Sequence, residues 1–358
     1  MTINHSNPSI DAAEVSAVSD ILLSGHLATG EEVEKFEQEM SEYFDVVGSV
    51  AVSSGTAALH LALLALEVRE GMEVIIPSFC CASLYHAVIY TGASPVFADC
   101  DPTTFLLTYD SIKAQITPKT GCIILPHMFG LPAAIDEILQ LGIPVIEDIA
   151  QAMGAKYKGE KTGGLTDMSI TSFYATKMMT TGTGGMVLSN NQKLVDKVRD
   201  LNGVDKKKDL TMRMPYVMND LQAGIGRCQL KKLEGFVATR RELASYLNNA
   251  LGSAPVILPS DLPGREHTFF RYCLQLEKDA QSVVEFLNAH DIEAGRSIFY
   301  PLHRLQASRS KNMHYLKGTD KAWQNTISLP LYPALTKEAL EYEASVLRDA
   351  LEHCEQCS

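Results

Sequence analysis

The stretch "SVAVSSGTAALHLALLAL", residues 49–66, changes character halfway along. Val50 and Val52 belong to a short apolar run that suits a buried strand. Ser53-Ser54-Gly55-Thr56 then turns the chain, and Ala57 to Leu66 is apolar at helical length. A strand delivered by a tight polar turn straight into a helix is half of a strand–helix–strand unit. The same rhythm continues outward. "EVIIP" (73–77) leads into "ASLYHAVIYTG" (82–92), followed by "SPVFADC" (94–100). Next come "CIILPH" (122–127), "AAIDEILQLG" (133–142) and "PVIEDIA" (144–150). Continuously apolar strands separated by helices predict a mostly parallel α/β sheet covered on both faces.

Near Leu230 the rhythm breaks. "CQLKKLEGFVATRRELASYLNNAL" (228–251) reads as one long amphipathic helix. Beyond it, "FFRYCLQLE" (269–277), "AQSVVEFLNAH" (280–290) and "KEALEYEASVLRDAL" (337–351) predict a smaller α+β unit. The expected division is a large α/β domain over 12–235 and a small C-terminal α+β domain over 236–358. "DAAEVSAVSDILLSG" (11–25) predicts a further amphipathic helix, expected to pack on the small domain.

Bulk properties narrow the function. The chain has 358 residues, 46% of them apolar and 21% charged, enough for a large core and too ordered in composition for disorder. A net charge of −12 argues against nucleic acid as a partner. The one basic run, Lys206-Lys207-Lys208, reads as a solvated loop or an anion contact. No leader-like segment opens the chain, and the longest apolar helix is too short for a bilayer. Its eight cysteines then read as reduced thiols of a cytoplasmic protein. The terminal Cys354-x-x-Cys357 with His353 lacks a second ligand pair, so no metal site is expected.

Ligands of open parallel sheets bind beyond the carboxyl ends of strands. Three such ends carry polar chemistry here. "SSGTAAL" (53–59) puts the N–H groups of Gly55 and Thr56 at a helix start, where an anion is stabilised. "PVIEDIAQAMGA" (144–155) ends an apolar strand on Asp148, with Gln151 one turn on; a protonated ring nitrogen would partner that carboxylate. "TSFYATKMMTTGTGGMVLSNN" (171–191) places Lys177 past another strand, where desolvation favours a neutral amine. Ser172, five residues before Lys177, is placed where its hydroxyl could join the phosphate shell. The ordered set, anion cradle, ring-nitrogen acid and desolvated lysine, points to pyridoxal 5'-phosphate.

With these motifs in place, the sequence resembles the sugar aminotransferase family often called DegT/StrS, among the fold-type I pyridoxal phosphate enzymes. The resemblance spans nearly the whole chain. It is carried by residues 13–44, "SSGTAALHLALLAL", "PHMFGLPAAIDEI", "IEDIAQAMGAKYKG", "SFYATK", "GTGGMVLSN", "LQAGIGRCQLKKLE", "YPLHR" and "SLPLYPALT". It implies that Lys177 is the Schiff-base lysine and later moves a proton at the substrate carbon. Asp148 would keep the pyridine nitrogen protonated, Gln151 would lie at the ring edge, and Gly55, Thr56 and Ser172 would hold the phosphate. The implied reaction moves an amino group, from glutamate, to a keto group on a nucleotide-linked sugar. Pyridoxamine 5'-phosphate is its intermediate and some relatives use a keto-cyclitol. A homodimer with shared active sites is also implied.

This sequence departs from the family pattern twice. Where relatives carry G-x-N-x-R, whose Asn reaches the partner's phosphate, "RMPYVMND" (213–220) has Pro215 and Val217. Asn219 is the expected substitute and Arg213 the runner-up. Where relatives stack an aromatic on the ring, "PSFCCAS" (77–83) offers Phe79 or Cys81, and alignment favours Cys81. Substrate-side candidates are His127, which also reads as a structural histidine, with Arg296, Tyr300 and His303. Two competing readings are a sugar dehydratase, whose family carries histidine in place of the lysine, and a non-catalytic regulatory homologue.

Overall fold

A computed structural model describes residues 2–203, 208–306 and 315–356. Lys206, Lys207 and Cys357 of the sequence reading lie outside the described residues. A seven-stranded sheet is formed by β1 (Gly48–Val52), β2 (Glu73–Pro77), β3 (Ser94–Ala98), β4 (Thr120–Pro126), β5 (Val145–Asp148), β6 (Met168–Ser172) and β7 (Gly185–Ser189). Their spatial order is β1-β7-β6-β5-β4-β2-β3. Strands β3, β2, β4, β5 and β6 pair in parallel. Only β7 runs the other way, antiparallel to both β6 and β1. The expectation of a mostly parallel sheet holds.

Alternation along each strand feeds two cores. Val74, Ile76, Cys122 and Ile124 face one hydrophobic cluster, while Ile75, Ile123 and Leu125 face another. With both faces covered, the strands read as unbroken apolar runs. Helix α1 spans Ala12–Ser24, α2 Glu31–Phe44, α3 Gly55–Ala65 and α4 Ala82–Tyr90. Burial of α3 on nearly all sides explains its lack of a polar face. His60, which interrupts that apolar helix, is buried and bonded through Nδ1 to the Tyr216 hydroxyl at 3.1 Å.

After α5 (Gln192–Asn202), α6 (Asp220–Leu251) runs for 32 residues from an Asn219 cap, and the expected boundary at 235/236 falls inside it. Its C-terminal half gives Ala244, Leu247 and Leu251 to a separate core. Around that core pack α7 (Gln281–Ala289), α8 (Lys337–Gln356) and a four-stranded antiparallel sheet. The strands are β8 (Val256–Ile257), β9 (Tyr272–Leu276), β10 (Gly295–Arg296) and β11 (Thr326–Leu329).

One expectation is corrected. Helix α1 packs not on the C-terminal unit but on the first half of α6, where Ile21 meets Gly224 and Glu14 binds Gln229 and Lys232. The residues that do reach the C-terminal unit precede α1: Ile3 pairs with Ile292 and lies in its core. Among the described residues no helix is long and apolar enough to cross a membrane.

Candidate active site

Strand register assembles the site. Ser172 at the end of β6 pairs with Gly185, which also pairs with Val52 at the end of β1. On the other side of β6, Ile170 pairs with Asp148, and Asp148 with Pro126. The three polar strand ends therefore share one edge of the sheet.

At the anion turn the chains come very close. A side chain on Gly55 would put its Cβ 2.8 Å from Ser172 Cβ; one on Gly185 would meet Ser54 O at 2.4 Å. Only glycine permits that approach. Ser54 Oγ accepts from Ala57 N at 3.1 Å, which caps α3 and leaves the Gly55 and Thr56 N–H groups for an anion.

Lys177 sits on the β6–β7 connection. The Phe173 backbone is tied to Gly184 and Thr181, and Phe173, Met178 and Met179 are buried around the lysine. Lys177 itself is half-buried, and Nζ lies 5.1 Å from the Phe270 ring centre. No hydrogen bond or ion pair reaches this amine among the described residues. Burial pulls it below the ordinary lysine range, Cys81 and Asp148 oppose that shift, and the Arg271 charge adds to it.

Asp148 is buried, and its Oδ1 accepts from Ala150 N at 2.9 Å. Burial raises this carboxyl, while the Ala150 N–H and the charges of Lys177 and His127 hold it down. Its second oxygen has no partner among the described residues, an arrangement that a ring N–H would complete. Gln151 Oε1 accepts from Phe129 N at 3.0 Å, which fixes the amide and leaves its NH2 to donate. A glycine-lined anion cradle, a carboxylate with one open oxygen and an unpaired amine fit pyridoxal phosphate in its three polar parts. When bound, that group supplies an electron sink for the substrate carbon.

The alternatives at "PSFCCAS" separate. Phe79 is fully buried and stacks on Phe105 at 5.4 Å, facing the core. Cys81 is exposed just before α4, close enough to influence Lys177. Cys80 is buried, with Sγ donating to Pro77 O at 3.1 Å.

The four substrate-side candidates are held by contacts within the protein. His127 is fully buried; Nδ1 accepts from Ala133 N at 2.8 Å and Nε2 meets Glu147 Oε1 at 2.9 Å. Both ring nitrogens being spent, His127 is structural. Arg296 binds the Trp323 and Gln324 carbonyls and Asp279, and lies over the Trp323 ring, so it has no free fork for a carboxylate. His303 joins Ser78 Oγ (2.6 Å) to Asp320 (3.3 Å), pinning the short helix Leu302–Gln306 just beyond the end of β2. Tyr300 packs edge-on against Trp323.

Within the departing segment, Arg213 is committed to Asp200 and Asp209, which removes the runner-up. Asn219 caps α6 through Oδ1, accepting from Gln222 N at 2.9 Å, and keeps its amide NH2. The segment lies against its own subunit's anion turn: Val217 pairs with Val52, and Ser53 N donates to Tyr216 O. Sequence reasoning missed Phe270 and Arg271 beside Lys177. The available signal was a lone arginine in the otherwise apolar "FFRYCL".

Fold and site together define a fold-type I pyridoxal phosphate-dependent aminotransferase. The profile of the DegT/DnrJ/EryC1/StrS aminotransferase family matches residues 8–348, and the chain belongs to that family. It is 33% identical over 347 residues to the GDP-perosamine synthase of Escherichia coli O157:H7, covering 94% of each chain. The solved aminotransferase TlmJ from Streptoalloteichus hindustanus superposes with a TM-score of 0.93 at 29% identity, covering 99% of this chain and all of the other. The Streptococcus pneumoniae aminotransferase Spr1654, solved in a pyridoxal phosphate form, gives 0.92 at 25% identity over 99% of each chain.

Proposed function

We propose that this aminotransferase moves an amino group from glutamate to the keto group of a nucleotide-linked sugar, working as a cytoplasmic homodimer. The observation that carries the amino transfer is the unpaired, desolvated Lys177 beside Asp148. The dehydratase alternative needs histidine at that position, and a regulatory homologue would have no reason to keep a desolvated, unpaired lysine there. The sugar acceptor rests on whole-length similarity to a GDP-perosamine synthase.

In this reading Lys177 takes a proton from the amino donor's Cα and returns one to the new amine carbon. Asp148 holds the ring-nitrogen proton throughout, Gln151 fixes the ring edge, and the Gly55–Thr56 turn with Ser172 anchors the phosphate. Exposed apolar side chains at Leu22, Leu23, Leu27, Leu210 and Met212 support a partner subunit. The six described cysteines are all free, as a reducing compartment would leave them. The two cores support two domains meeting inside α6.

The test is to load the purified protein with pyridoxal phosphate and supply glutamate with a panel of nucleotide-linked keto-hexoses. The expected result is sugar-dependent 2-oxoglutarate and an aminated sugar nucleotide. Turnover with keto-cyclitols alone, or with none of the sugars, would reject the acceptor.

A further inference from the structure

Arg271 is a cation without a counter-ion. It immediately precedes β9 and is half-buried, and among the described residues no carboxylate pairs with it. Its one side-chain bond runs from Nη1 to His5 Nε2 at 3.2 Å. A guanidinium does not shed its proton, so this charge stays in place and adds to the downward shift of the desolvated Lys177 amine. Arg271 and Lys177 flank a single ring, 5.7 Å and 5.1 Å from the centre of Phe270. A desolvated guanidinium with no paired carboxylate raises the energy of the free protein, and an anion entering there relieves it.

The surroundings fix the guanidinium in place. Thr268 N donates to Gly130 O and Arg271 N to Phe129 O, which ties this segment to the residue that also anchors Gln151. From beneath, buried Arg240 binds the Phe269 and Phe270 carbonyls. His5 is held by Ser328 Oγ at 2.9 Å and, through its backbone, by Glu293. Glu293 therefore serves the N-terminal segment and not Arg271. His5, Thr176, Arg240, Phe270 and Arg271 line one small cavity.

We propose that Arg271 binds the carboxylate of the amino donor, with His5 as its positioning residue. The assignment rests on the aminotransferase reading. A donor must bring its amino carbon to Lys177, and the α-carboxylate is bonded to that carbon. Arginine's planar fork matches a carboxylate with two parallel bonds. A sugar diphosphate, attached away from the reacting carbon, reaches this wall less directly.

The experiment uses the loaded enzyme and its Arg271→Gln and Arg271→Lys variants. The donor half-reaction is followed by the cofactor's absorption, with glutamate and with isopropylamine, which carries no carboxylate. In Arg271→Gln, KM for glutamate should rise about 30-fold or more, and the glutamate-to-isopropylamine rate ratio should fall similarly. Arg271→Lys should recover part of both. Calorimetry should show glutarate binding to wild type and its loss in Arg271→Gln. An unchanged glutamate KM, equal losses for both amines, or dissociation of the dimer on substitution would each overturn the assignment. A wild type that consumes no amino acid would overturn the aminotransferase reading itself, and Arg271's role with it.

Discussion

Lys177 and Asp148 act as a pair because burial pushes each toward its neutral form while each supports the other's charge. Borohydride treatment of the loaded protein should therefore fix the cofactor to the peptide containing Lys177; label on another lysine would contradict the site. Asp148→Asn should still bind the cofactor yet slow the glutamate half-reaction by roughly 10²-fold, because a neutral ring nitrogen is a poor electron sink. Stopped-flow rates near wild type would remove Asp148 from its role. The lowered Lys177 pKa also has a stability consequence in cofactor-free protein. Between its folded and unfolded values the unfolded chain binds more protons, so this burial penalty shrinks as pH rises toward the ordinary lysine value. Cofactor-free Lys177→Met should melt a few degrees higher than wild type near neutral pH, and the gap should close in alkaline melts.

At the scale of elements, the anion cradle depends on β7 lying against the start of α3. Gly185→Ala forces a Cβ onto Ser54 O and should cost about 1–3 kcal/mol while weakening cofactor binding, read by denaturant melts and cofactor titration. Gly235 is the contrasting case. It lies inside α6 with nothing within 4 Å of an added Cβ, so Gly235→Ala should stabilise by about 0.5–1 kcal/mol. The strands and α3 were legible in the sequence because apolar runs and the Ser-Gly-Thr turn are local signals. The packing partner of α1 was not. Its apolar positions say that one side is buried, but not whether the first half of α6 or the C-terminal unit covers it.

At the scale of the whole molecule, the proposed dimer would let the 213–219 segment serve either its own site or its partner's. Asn219→Asp keeps the α6 cap while replacing an amide donor with a charge that repels phosphate. Mixed with Lys177→Ala and reassociated, it should recover up to roughly a quarter of wild-type activity if the contact crosses between subunits, since half of randomly paired dimers hold one intact site. No recovery in verified mixed dimers would place the segment in its own subunit, where Val217 already pairs with Val52. What the sequence determined by itself was the sheet and the order of its polar ends: Gly55-Thr56, Asp148 and Lys177 each announce themselves within a few residues. Only the tertiary structure decided which polar groups remain free. It spent both nitrogens of His127 on Ala133 and Glu147, closed Arg296 onto Trp323 and Asp279, and turned Phe79 into the core. It also brought His5 to Arg271 across 266 residues of chain. Hydrogen-bond satisfaction is settled between residues distant in sequence, so no local pattern reveals which donor is left to meet a substrate.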